Sequence, residues 1–149
     1  MRFSINLQTS IQNRNLVYRT KDYAFDSTPT AKEISLDILV NNVNLTINEN
    51  DEVIQVWGMC PHTTWIASNH KVPEYKQGSL KLLTNLEPGF SYRLNKEQEW
   101  EVSINEETGW ICIGDPINRG NSVEFNKGCV AVLSEEHLIA LWLKPKIID

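Results

Sequence analysis

The chain has 149 residues, 41% apolar and 22% charged, an average globular composition that excludes the fibrous and disordered classes. Its 14 Lys and Arg stand against 19 Asp and Glu, and the net charge of −5 divides as −2 before residue 76 and −3 from there on. Neither half carries the basic field that gripping nucleic acid or anionic lipid requires.

No apolar run approaches the ~18 residues of a membrane span. Met1 to Gln8 has no apolar core of a signal peptide. Cys60, Cys112 and Cys129 are too few and odd in number for a disulfide framework. The expectation is a soluble, acidic, cytoplasmic protein with neither a nucleic-acid nor a membrane partner.

Phe3, Ile5 and Leu7 alternate with polar neighbours and predict a first, half-buried strand. Leu16 to Thr20 predicts a short second one. Asp26 to Thr30 reads as a loop, because Pro29 removes a ladder donor and Thr28 before it avoids the α region. Ile34, Leu36, Ile38 and Val40 keep strict alternation, and Val43, Leu45 and Ile47 resume it after Asn41-Asn42. This period favours strands over the rival helix that Thr28 and Pro29 would open. Asn48 to Asp51 is a turn, and Val53 to Trp57 a further strand.

From Gly58 to Gly78 the period fails. This longest irregular segment carries prolines, histidines and aromatics, and long loops in compact domains tend to be functional or mobile. Order returns at Leu80 to Leu83, breaks at Glu87-Pro88-Gly89, and returns again at Tyr92 to Leu94.

Trp100, Val102 and Ile104 then alternate with Glu99, Glu101 and Ser103, and Asn105 to Gly109 offers a turn before Trp110 to Ile113. A second cycle runs through Val123 to Phe125, the turn Asn126-Lys127-Gly128, Cys129 to Leu133, a polar 134–137, and Leu138 to Leu143. Ser134-Glu135-Glu136 ahead of Leu138, Leu141 and Trp142 also suits a short capped helix. Strand is preferred, because Ile139 and Leu143 leave no polar face and the Gly128 turn sets up a hairpin partner.

Short apolar runs at intervals of roughly ten residues predict one antiparallel all-β domain over 1–149, with roughly eight to ten short strands and at most one short helix. Its architecture is expected to be a small barrel or barrel-like sandwich; the Cys-Trp-Cys core pattern of an immunoglobulin type is missing. Cys129 to Leu133 and Leu138 to Leu143 are apolar on both faces and must be covered twice. The second face is capped by loops or a helix, or lines a closed barrel, or meets another subunit.

Cys60, His62 and His70 form the sharpest chemical cluster, and all three are residue types that bind metal. Their spacing matches no standard zinc pattern, so they are weak metal candidates. Cys60-Pro61 as a haem-binding dipeptide is too short to carry weight, and no motif specifies a cofactor. A thiolate at Cys60 with a histidine base is the corresponding enzymatic alternative. Glu97, Glu99 and Glu101 read as a solvent face, and Cys112 and Cys129 as packing residues.

No nucleophile elbow or phosphate-binding loop is present. The sequence therefore reads as a non-enzymatic binding or interaction module for a protein partner or small ligand. Its contact surface is expected on the 58–78 loop, at Trp57, His62, Trp65, His70 and Tyr75, where rigid amphipathic rings anchor contacts. A homo-oligomeric scaffold held by the apolar C-terminal strands is a further alternative.

Overall fold

The computed structural model describes all 149 residues and contains sixteen strands, two single 3-10 turns and no α-helix. The first six strands are β1 (Phe3–Asn6), β2 (Asn15–Arg19), β3 (Ala24–Thr28), β4 (Leu36–Val40), β5 (Val43–Ile47) and β6 (Val53–Met59). Four short ones follow: β7 (Ile66–Ala67), β8 (Lys76–Gln77), β9 (Ser79–Leu82) and β10 (Ser91–Arg93). The last six are β11 (Val102–Ile104), β12 (Ile111–Gly114), β13 (Asn121–Asn126), β14 (Cys129–Ser134), β15 (His137–Leu143) and β16 (Lys146–Ile148).

Two seven-stranded sheets dominate, in the orders β10-β4-β5-β6-β3-β2-β16 and β7-β11-β12-β15-β14-β13-β8. β1 and β9 form a separate antiparallel ribbon. None of the three sheets closes into a barrel, so the arrangement is sandwich-like and the barrel expectation is corrected. The antiparallel expectation is also refined. Each large sheet has five antiparallel strands at its centre and one short parallel strand at each edge. Edge strands of two or three residues offer little template for pairing with another chain, which limits edge-to-edge association.

The alternation in the sequence explains the central strands. Leu36, Ile38 and Val40 of β4 and Val43, Leu45 and Ile47 of β5 all point inward, in register across a two-residue hairpin. Asn41 holds that turn with φ 54°, a conformation asparagine tolerates better than most side chains. No helix forms at Thr28-Pro29. A single cluster of 26 buried side chains, drawn from both large sheets and the ribbon, fills the interior.

Four strands escape the sequence pattern: β3, β7, β8 and β16. β3 overlaps the loop expected at Asp26 to Thr30. Its polar Ser27 is buried because the hydroxyl donates to the Val56 carbonyl at 2.6 Å and accepts from the Val56 N–H at 3.3 Å. The side chain thus replaces ladder bonds that β3 and β6 make only at Ala24–Phe25. Residues 137–143 are strand rather than helix, paired on both sides by β12 and β14.

Candidate functional site

The 58–78 segment divides into parts with different duties. β6 runs on through Met59, and a 3-10 turn at His62–Thr64 then folds back over Tyr18. The Tyr18 hydroxyl donates to the Cys60 carbonyl at 2.7 Å and accepts from the His62 backbone N–H at 2.9 Å. Trp65 lies 4.8 Å from the Tyr18 ring, and its Nε1–H donates to Cys60 Sγ at 3.3 Å. His62 stacks on Tyr23 at 5.2 Å.

Cys60 is only 5% exposed, and burial pushes its thiol up to about 11. A thiol held protonated at neutral pH is neither a ready nucleophile nor a ready metal ligand. Trp65 packs against the main core, and His62 lies edge-on to its ring. The third metal candidate, His70, sits farther along the loop, where its carbonyl accepts from Asn105 Nδ2 at 2.9 Å. No three His, Cys, Asp or Glu side chains converge anywhere on a point that could hold a metal ion.

From Ser68 to Tyr75 the loop is a strap. β7 adds to β11 at one edge of the second large sheet and β8 adds to β13 at the opposite edge. The edges are six strand spacings apart, ~29 Å at about 4.8 Å each. Nine residue steps from Ala67 to Lys76 reach ~30 Å at about 3.3 Å each, so the strap has little slack.

Val72 of the strap packs on a second apolar cluster of Trp110, Cys112, Val130, Val132, Ala140 and Trp142. This is the outer face of strands whose inner residues, Ile111, Ile113, Leu141 and Leu143, belong to the main core. The doubly apolar strands are thus covered twice within one chain, by the opposing sheet and by the strap. The strap is a loop cap of the kind weighed from the sequence.

The five predicted site residues do not assemble. His62 and Trp65 touch each other over the core, with ring centroids 6.2 Å apart. Trp57 lies on the outer face of the first large sheet, 40% exposed, donating from Nε1 to Thr46 Oγ1 at 2.9 Å. His70 contributes backbone to the strap. Tyr75, 39% exposed, ends the strap edge-on to Trp110 at 6.2 Å.

Tyr75 opens onto the site that spacing did not reveal. A cleft of about 800 Å³ lies where the chain leaves β15 through Lys144-Pro145 and crosses to β16 in the other sheet. Its lining combines Tyr75 and Trp110 with Arg14, Lys127, Lys144 and Lys146, and a single carboxylate, Glu124. The Lys144 ammonium stands 5.9 Å over the Trp110 ring.

Arg14 is anchored at both ends. Its backbone N–H donates to Asn126 Oδ1 at 2.9 Å and its carbonyl accepts from Asn126 Nδ2 at 3.0 Å. Its Nε–H donates to the Ile54 carbonyl at 2.9 Å and Nη1 to the Pro29 carbonyl at 2.6 Å.

Glu124 is buried and accepts from the Gly128 N–H and from Gln77 Nε2, each at 3.1 Å. The Tyr75 hydroxyl is pushed above its ordinary range, by burial first and by the charge of Glu124 second. Gly128 turns the β13–β14 hairpin with φ 79°, and a Cβ there would sit 2.8 Å from the Lys144 carbonyl oxygen. Only glycine lets the hairpin and the crossover approach so closely.

No protein-family model, curated protein or solved structure matches this chain.

Proposed function

We propose that the chain is a non-enzymatic binding module whose ligand enters the cleft between Tyr75, Trp110 and the Lys144-Pro145-Lys146 crossover. The observation that carries this reading is the cleft itself. At about 800 Å³ it has the size of a small-molecule site, and Tyr75 and Trp110 give it aromatic walls. The other rings of the irregular loop are committed elsewhere, Trp65 to the core and Trp57 to Thr46.

Against catalysis stand the three buried cysteines and a lone cleft carboxylate whose two oxygens already accept protein hydrogen bonds. Against an oligomeric scaffold stands the strap, which packs Val72 on the outer face of the doubly apolar strands.

The test is a fragment screen by two-dimensional NMR on isotopically labelled protein. Signals of Tyr75, Trp110 and Lys144 should move together on binding. Tyr75→Ala should abolish the response while the melting temperature falls by less than about 5 °C, the shift that roughly 1 kcal/mol produces in a small domain. Responses confined to the Trp57 face, or none at all, defeat the reading.

A further inference from the structure

We infer that the cleft takes an organic anion, a phosphate or carboxylate group carried on a ring. This rests on the cleft being the binding site and adds the chemistry of its occupant. Four cations and one acid line the cleft, in a chain whose acids outnumber its bases 19 to 14. None of the four is spent on an ion pair, because the two pairs in the molecule are Arg2–Glu136 and Arg19–Asp26. Unpaired cations gathered on a concave surface with apolar walls raise the local positive potential and concentrate an anion there.

Arg14 adds order to that field. Its bonds to the Ile54 and Pro29 carbonyls hold the guanidinium in place and leave the Nη2 protons with no protein acceptor. A fixed planar donor suits the oxygens of a phosphate or carboxylate, and pre-orientation lowers the entropic cost of binding.

Tyr75 offers its exposed face to a ring, and Lys144 stands over the indole of the buried Trp110 behind it, where a ligand's charge would meet it. Glu124, whose two oxygens are held by Gln77 and the Gly128 N–H, leaves the four cations as the charged groups that meet the ligand. A long polyanion fits poorly, since away from the cleft the remaining charge of the chain is acidic.

The experiment titrates labelled protein with adenosine monophosphate, benzoate, adenosine and inorganic phosphate, following the Trp110 indole N–H. The expected result is saturable binding of at least one ring-bearing anion in the millimolar range or tighter. Raising the salt from about 0.05 M to about 0.5 M should weaken it severalfold, because these charges are exposed to screening. Adenosine alone should bind at least about tenfold more weakly than its monophosphate, and the Lys127→Ala/Lys146→Ala double variant should lose about tenfold for the anion.

Equal affinity for adenosine and its monophosphate, or indifference to salt, overturns the anion and leaves the binding module standing. Silence toward both ring-bearing anions up to about 10 mM overturns the anion as well. If neutral fragments also fail to move Tyr75 and Trp110, the module falls with it.

Discussion

The indole N–H of Trp65 donates to the sulfur of Cys60 at 3.3 Å, so the loop's one thiol is tied to its nearest large ring. The Trp65 ring packs on Tyr18, whose hydroxyl bridges the Cys60 carbonyl and the His62 N–H. Cys60 and Trp65 thereby pack into the main core, with His62 edge-on to the Trp65 ring.

Titration of the buried thiols and of Tyr18 sets an alkaline limit on stability. Burial pushes Cys60 from its ordinary 9.0 to about 11, Cys112 and Cys129 to about 12, and Tyr18 from 10.0 to about 12. Between the ordinary and the raised values the folded chain keeps protons that the unfolded chain releases. Stability therefore falls as pH rises through that window and is fully present below it. The melting temperature should hold steady to about pH 8 and drop between about pH 9 and about pH 12. At pH 8 a thiol reagent should label the native protein slowly and the unfolded protein at once; rapid native labelling of Cys60 would revive a nucleophilic role.

Trp65→Ala and Trp57→Ala should separate cleanly. Trp65 packs on Tyr18 and Phe25, with ring centroids at 4.8 and 6.3 Å, and its removal should cost about 3 kcal/mol. Trp57 is 40% exposed and should cost about 1 kcal/mol. Urea denaturation decides this, and small, equal losses would return both rings to a contact surface.

The strap should be measurable on its own. Val72→Ala removes apolar contact with the cluster around Trp110 and Trp142 and should cost about 1 kcal/mol. Amide exchange at Ser68, whose N–H donates to the Ile104 carbonyl at 2.8 Å, should quicken more than exchange in β5. Uniform acceleration across the fold would show that the strap is no separate unit.

Gly128→Ala should be the costliest small substitution near the cleft. It places a Cβ 2.8 Å from the Lys144 oxygen at φ 79°, for a loss of about 2 kcal/mol. The crossover would have to shift, so binding in the cleft should weaken with stability. An unchanged melting temperature would mean that Lys144-Pro145 moves freely.

Most of the fold was legible because it is local. Alternation at Leu36 to Ile47 is set by the two-residue repeat of a strand, and the polar breaks at Asn41-Asn42 and Lys127-Gly128 mark hairpins that need no distant partner. The all-β class follows from such runs. β3 was hidden because Ser27 satisfies its hydroxyl on Val56, a residue far along the chain. β7, β8 and β16 are two or three residues long and exist only where another strand's edge receives them.

The candidate site was almost wholly illegible for the same reason. Of its residues, the aromatic content of the irregular 58–78 loop singled out Tyr75, while Trp110 read only as the start of a strand. Arg14, the Glu124–Lys127 hairpin and Lys144 come from three separate stretches of chain. Side-chain period announces which face of a strand is apolar, since that depends on adjacent residues alone. Which surface covers a second apolar face, and which charges meet at a crossover, depends on long-range pairing and on the reach of an eight-residue strap. Those are settled only when the two sheets close on one another.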